Sequence, residues 1–229
     1  MKNSELYKYN ITDEVEAFST MREAKVPYDV LCPHQVHEDK VAIVKSRDLT
    51  CEDLQGIDAL ITNLPEIAIG VKTADCVPIL LFDPINKVIA AIHSGWKGTV
   101  KKISHKTITL MQKQFNVNPC NLLAVIGPSI GATSFQVGEE VALQFDKACF
   151  PMSDILTNQG ERIPNSMQGG LHIDLWKANK WLLEQKGIPS SNIHIARICT
   201  YLNNNLFFSA RREGIACGRI INAIKLVRS

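Results

Sequence analysis

The chain has 229 residues, of which 45% are hydrophobic and 21% charged, and its net charge is +2. Those proportions describe an ordinary globular chain with enough length for a sizeable core. They exclude a disordered or repetitive protein, and the near-neutral charge argues against a dedicated nucleic-acid binder.

The N-terminus, MKNSELYKYNITDEVEAF, has no apolar signal-like stretch, and no apolar run approaches the ~20 residues of a membrane span. The seven cysteines include no C-x-x-C pair, so the expectation is a cytoplasmic protein with reduced thiols, most of them small buried apolar residues. Along the chain, residues 68–72 read as a short strand. Residues 77–82 and 88–92 are apolar runs around Asp83-Pro-Ile-Asn-Lys87, which has turn chemistry. Together they predict a β-hairpin buried on both faces. Thr99 is the expected cap of a helix carrying Val100, Ile103, Ile108, Leu110 and Met111. Residues 122–127 read as a strand, and residues 139–148 as an amphipathic helix with Val141, Leu143 and Phe145 inward. Residues 150–170 read as a long exposed loop. Asp174 caps a further helix stopped at Gly187, and residues 193–198, 207–208 and 219–227 read as late strands. Strands and helices are mixed without strict alternation. The expected fold is α+β, a single domain over 1–229 with a mixed β-sheet or sandwich core built from hairpins and flanked by helices.

The hairpin carries the chemistry. Pairing Phe82 with Lys87 places Cys76 opposite His93, and pairing Asp83 with Lys87 places Cys76 opposite Ser94. Either register makes Cys76 and His93 neighbours, since opposed Cβ atoms lie about 4.5–5.5 Å apart. Small residues at Ser94-Gly-Trp-Lys-Gly98 would leave that end open to ligand. Three readings follow: a buried thiol beside a satisfied histidine; a Cys–His nucleophile pair oriented by an acid such as Asp75; or a metal site completed by a histidine from Pro33-His-Gln-Val-His37. In an extended segment His34 and His37 face opposite ways, so one of them reaches the metal. His105, His172 and His194 read as surface or loop residues.

At these residues the sequence resembles the laccase-domain proteins, once labelled multicopper polyphenol oxidases and understood as zinc-dependent purine nucleoside phosphorylases with adenosine deaminase activity. The resemblance rests on Gln35-Val-His37, Lys72-Thr-Ala-Asp-Cys-Val-Pro-Ile-Leu-Leu81 and Ala91-Ile-His-Ser-Gly-Trp-Lys-Gly98. It continues through Ile126–Gly131, Phe135–Val141, Cys199-Thr200 and Phe207–Gly214, from about position 31 to the C-terminus. It implies zinc ligands at His37, Cys76 and His93, a mixed β core, and purine nucleosides and phosphate as small-molecule partners. Methylthioadenosine phosphorolysis is a further implication, and monomer and homodimer both stay open. Two features depart from the family pattern. Ser94 and Lys97 stand where Ala and Arg are usual, and the Gly- and Asn-rich segment expected after the first strand is missing between Arg22 and Pro27.

A zinc ion with an open position lowers the pKa of water from ~15.7 to ~7, as attack on C6 of adenine requires. Phosphorolysis needs an anion site, for which Lys97, Arg211 and Arg212 are candidates against a reading as solvated charges. Trp96 is either a base-stacking platform or a packing anchor. Asp75 is either a partner that orients a metal ligand or a turn residue. The alternatives are a metal-free Cys–His hydrolase or amidase, including a peptidoglycan-editing role, and a non-catalytic binding protein. A copper oxidase is disfavoured because no His-x-His pair is present.

Overall fold

The computed structural model describes residue 2 and residues 4–157 and 170–227. Strands are numbered along the chain. An outer five-stranded sheet has the order β1 (Leu6–Lys8), β2 (Val15–Thr20), β14 (Ile220–Leu226), β6 (Ala68–Thr73), β3 (Val30–Leu31). A central six-stranded sheet has the order β13 (Ile193–Ile195), β9 (Leu123–Ile126), β7 (Val77–Asp83), β8 (Val88–Ser94), β5 (Ala59–Thr62), β4 (Val41–Ile43). A small three-stranded sheet joins β10 (Gln136–Val137), β12 (Leu171–Ile173) and β11 (Leu156–Thr157). The helices are α1 (Trp96–Val100), α2 (Ile103–Phe115), α3 (Glu139–Lys147), α4 (Met152–Ile155), α5 (Leu175–Gln185) and α6 (Ala210–Glu213). The expected α+β class with a mixed, hairpin-containing core is what the chain adopts.

Alternation explains the layers. From the central sheet, Leu60, Leu80, Phe82, Ile89, Ala91 and Val125 face Val15, Ala17, Ile69, Val71 and Ile224 of the outer sheet. Their neighbours Ile61, Ile79, Leu81, Ala90, Ile92 and Ile126 point the other way, onto Ile108 and Met111 of α2 and Leu182 and Leu183 of α5. Both sides of β7 and β8 are therefore covered, which is why their sequences are continuously apolar. A polar chain runs across three neighbouring strands of the outer sheet, β2, β14 and β6. Ser19 Oγ donates to Asn222 Oδ1 (2.5 Å), and Asn222 Nδ2 donates to Thr73 Oγ1 (2.9 Å). It pins the end of β6 that leads to Cys76.

Several expectations are corrected. Thr99 caps nothing; it is buried inside α1, whose N-cap is Gly95. Lys102, in the left-handed region at φ 57°, separates α1 from α2. Phe207 and Phe208 lie in irregular chain before α6, not in a strand. The strand expected over 193–198 stops at Ile195. Leu143 on α3 is exposed, and Ala142 with Phe145 forms the inward face. In the expected loop, Phe150 and Ile155 are buried and α4 and β11 form; residues 158–169 lie outside the described residues. Asp174 does cap α5, its Oδ1 accepting from Lys177 N (2.9 Å), and Gly187 at φ 93° ends it.

Candidate metal centre

The three sequence-predicted ligands converge. His93 is the penultimate residue of β8, Cys76 lies in the short link from β6 to β7, and His37 lies between β3 and β4. Their ligand atoms all lie within 4.8 Å of one another. The two imidazoles meet edge to face, with ring centroids 4.8 Å apart. His93 is buried, Cys76 half-buried and His37 exposed, so the cluster is open on one side.

The hairpin register differs from both expected pairings. Asp83 pairs with Val88, and Pro78 stands opposite His93. The loop is residues 84–87, closed by Asp83, whose Oδ1 accepts from Ile85 N (2.8 Å) and whose Oδ2 accepts from Asn86 Nδ2 (2.8 Å). Cys76 is two residues before Pro78, so the pleat keeps it on the face that His93 occupies. The neighbour that Cys76 meets across the hairpin is Gly95, and a Cβ built there would lie 3.0 Å from Cys76 Sγ.

His37 arrives through its own contacts. The Gln35 side chain imitates a strand neighbour of β6: Nε2 donates to Lys72 O (2.9 Å) and Oε1 accepts from Lys72 N (2.8 Å). Glu38 and Asp39 pair with Lys101 and Lys106 beside α1 and on α2. At φ 61° His37 is not extended, so simple alternation does not separate it from His34. His34 is exposed and bridges to Gln55 instead. Of the other histidines, His172 is buried rather than at the surface, and half-buried His105 donates Nε2 to Leu182 O (2.8 Å).

Sequence reasoning missed Asp58. This buried residue precedes β5, and its carboxylate lies 2.7 Å from His93 Nδ1 and 3.0 Å from His37 N. A lone acid against the apolar run Ala59-Leu-Ile61 was the only signal, and it is a weak one.

Burial alone pushes the Cys76 thiol up, but His93 and His37 outweigh it and bring Cys76 down to about 6. Burial pushes His93 down, and Cys76 with Asp58 reverses this to about 9. Without a metal the pair is therefore a thiolate beside an imidazolium. A thiolate and two imidazoles around an open edge fit a divalent transition metal bound by three protein ligands.

Asp75 does not touch the histidines. Its two carboxylate oxygens accept from Thr200 Oγ1 (2.6 Å) and Arg211 N (2.6 Å), and its φ is 81°. It ties the link carrying Cys76 to α6. On that helix, Arg211 stacks on Phe135 and donates to Gln136 O (3.0 Å), while Arg212 stacks on Tyr201 and donates to Tyr201 O (2.9 Å). Both guanidinium groups are exposed yet held. Trp96 packs against the core beneath exposed Lys97, whose Nζ is 5.7 Å from the indole centroid.

A mixed sandwich with an open Cys-His-His donor set where its sheets meet defines an α+β protein with a candidate metal site. The family model described as "Multi-copper polyphenol oxidoreductase laccase" matches residues 9–227, and the chain belongs to that family. Among the described residues, His37, Cys76 and His93 form one metal-capable cluster, where a multicopper centre needs several. A Bacteroides thetaiotaomicron protein named purine nucleoside phosphorylase is 41% identical over 209 residues, covering 89% of this chain and 75% of its own. Adenosine deaminase RL5, from an unknown prokaryotic organism, is 39% identical over 202 residues, covering 86% of this chain and 74% of its own. The crystal structure of Bacillus licheniformis hypothetical protein YfiH superposes with a TM-score of 0.86 at 24% identity, over 97% of each chain. YlmD from Geobacillus stearothermophilus gives 0.80 at 24% identity, over 96% of this chain and 94% of its own. These two likenesses concern the fold.

The described residues include no helix long and apolar enough to cross a membrane. All seven cysteines are free, but against expectation only Cys32 and Cys199 are buried, and Cys51, Cys120 and Cys149 are exposed.

Proposed function

We propose that this chain is a zinc-dependent purine nucleoside phosphorylase with adenosine deaminase activity, working in the cytoplasm as one domain. The observation that carries the reading is the convergence of His37, Cys76 and His93, with their ligand atoms within 4.8 Å and one edge exposed. Relatives named for both activities support it. His37, Cys76 and His93 would hold the zinc, which when bound supplies Lewis acidity and acidifies water.

The chain's own residues do the rest. Asp58 keeps a proton on His93 Nδ1, which leaves Nε2 as the ligand atom. Asp75 fixes the link carrying Cys76 against α6, so the metal ligand and Arg211 keep a set separation. Arg211 and Arg212, each stacked and bonded to a carbonyl, present planar forks suited to phosphate. Lys97 adds an exposed positive charge beside Trp96, the candidate platform for the purine. Deamination needs no phosphate, whereas phosphorolysis needs the arginines, so one site can run both reactions on separate demands.

The test is metal analysis of protein purified without added zinc, followed by incubation with adenosine, inosine or methylthioadenosine, with and without phosphate, and chromatography. About one zinc per chain, inosine from adenosine, and phosphate-dependent release of base are expected. Absence of turnover by the zinc-loaded protein overturns the reading. The thiolate–imidazolium pair also favours a second reading, a metal-free cysteine hydrolase. A chelator separates the two: it abolishes the first activity and spares the second.

A further inference from the structure

Asp58 is bonded to both candidate histidine ligands. We propose that Asp58 is the positioning residue that assembles the metal site, holding the His93 tautomer and folding the turn that delivers His37. This rests on the metal-site reading above.

Every acceptor position of the carboxylate is used. Oδ1 takes His93 Nδ1 (2.7 Å) and His37 N (3.0 Å), and Oδ2 takes Val36 N (3.2 Å) and Glu38 N (3.0 Å). An ionised carboxylate only accepts, so His93 must present its Nδ1 proton and keep the Nε2 lone pair for a metal. The three successive N–H groups form a concave nest around one anion, and His37 sits in it at φ 61°, a conformation a histidine holds only when its surroundings impose it. The main chain of Asp58 adds a third hold, its carbonyl accepting from His93 N (2.8 Å). One buried side chain thus builds both halves of a site whose ligands are far apart in sequence.

Asp58→Asn keeps the shape and removes this logic. Its amide has one accepting and one donating end. With the donor in the Oδ1 position it meets the His37 N–H and drives His93 to the Nε2–H tautomer. With the donor in the Oδ2 position it meets the N–H groups of Val36 and Glu38.

The test compares full-length wild type and Asp58→Asn by zinc titration against a chelator, by the visible spectrum of the cobalt(II)-loaded protein, and by thermal unfolding of the metal-free forms. The expected result is zinc affinity down about 100-fold, the upper end of the range for loss of such an outer partner, with an altered cobalt spectrum. Zinc affinity within twofold of wild type and an unchanged cobalt spectrum overturn the proposal and leave the functional reading standing. A wild type that takes up no zinc overturns both. Should the variant fail to fold, NMR of the zinc-loaded wild type labelled with ¹⁵N-histidine decides. A proton on His93 Nδ1 with Nε2 on the metal is expected, and a protonated Nε2 overturns the assignment.

Discussion

Replacing Gly95 by alanine puts one methyl group against two of the proposed metal ligands, Cys76 and His37, and tests the whole geometry. At φ −60° and ψ 169° Gly95 has a backbone that alanine adopts freely, so no strain arises there. The added Cβ would lie 3.0 Å from Cys76 Sγ, 3.7 Å from Cys76 Cβ and 3.7 Å from His37 Cδ2. The contact with sulfur is about 0.5–1 Å inside the ~3.5–4.0 Å of a comfortable carbon contact. Relief requires Cys76 to move by a comparable amount, while metal–ligand distances tolerate about ±0.2 Å. Gly95→Ala should therefore lower zinc affinity at least about tenfold, or ~1.4 kcal/mol. Loss of stability in the metal-free protein should stay within about 1–3 kcal/mol, from overpacking and a poorer N-cap. Competition with a chromogenic chelator measures the first, and urea unfolding of the stripped protein the second. Wild-type zinc affinity in Gly95→Ala would refute the claim that Cys76 binds the metal from this face.

Other substitutions separate fold from function. His37→Ala and His93→Ala should both abolish tight zinc binding. In metal-free urea melts the former should cost little, because His37 is exposed, and the latter about 1.5–3 kcal/mol, because it strips a charged hydrogen bond from buried Asp58. Ser94→Ala should cost about 1–3 kcal/mol by orphaning Asn179 Oδ1, to which Ser94 Oγ donates at 2.7 Å, and should leave zinc affinity unchanged. Arg211→Ala should raise the KM for phosphate in phosphorolysis and spare adenosine deamination; equal losses in both would assign Arg211 to the fold alone. In protein stripped of metal, iodoacetamide should modify Cys76 with a midpoint near pH 6; a midpoint near 8.5, the ordinary thiol value, would refute the ion pair. The stability arithmetic follows the same signs. The thiolate's contribution is lost as pH falls through about 6, and the imidazolium's as pH rises through about 9, so metal-free stability from this pair is confined between them.

Much of this was legible in the sequence. Unbroken apolar runs at 77–82 and 88–92 announced strands covered on both faces, and the Asp174 cap with the Gly187 stop framed α5 correctly. The hairpin register was not legible, because Asp83-Pro-Ile-Asn-Lys87 permits loops of several lengths. The side-chain bonds of Asp83 to Ile85 and Asn86 hold the loop at residues 84–87, with Asp83 and Val88 as its closing pair. Thr99 looked like a cap because Ser/Thr before an apolar stripe usually is one. Its hydroxyl instead receives Asn179 Nδ2 (3.1 Å) in a buried network that also holds Ser94, giving that departure from the family pattern a packing role. The convergence of His37 on Cys76 came from motif resemblance, since no local spacing encodes it. What brings it about is Gln35 pairing with Lys72 and Asp58 gathering three N–H groups, contacts across the fold that no window of sequence displays.

The places from which these ligands come have a mechanical consequence. The link holding Cys76 and the stretch holding His37 each carry the chain from the outer sheet to the central one, and His93 stands at the open end of the central sheet's own hairpin. An ion held there is a rivet through the seam of the sandwich, clipping loops whose closure the unfolded chain resists. At free metal a hundredfold above Kd, such a rivet adds about 2.7 kcal/mol against unfolding. Metal supply would then govern how long each molecule survives proteolysis as well as whether it turns over substrate.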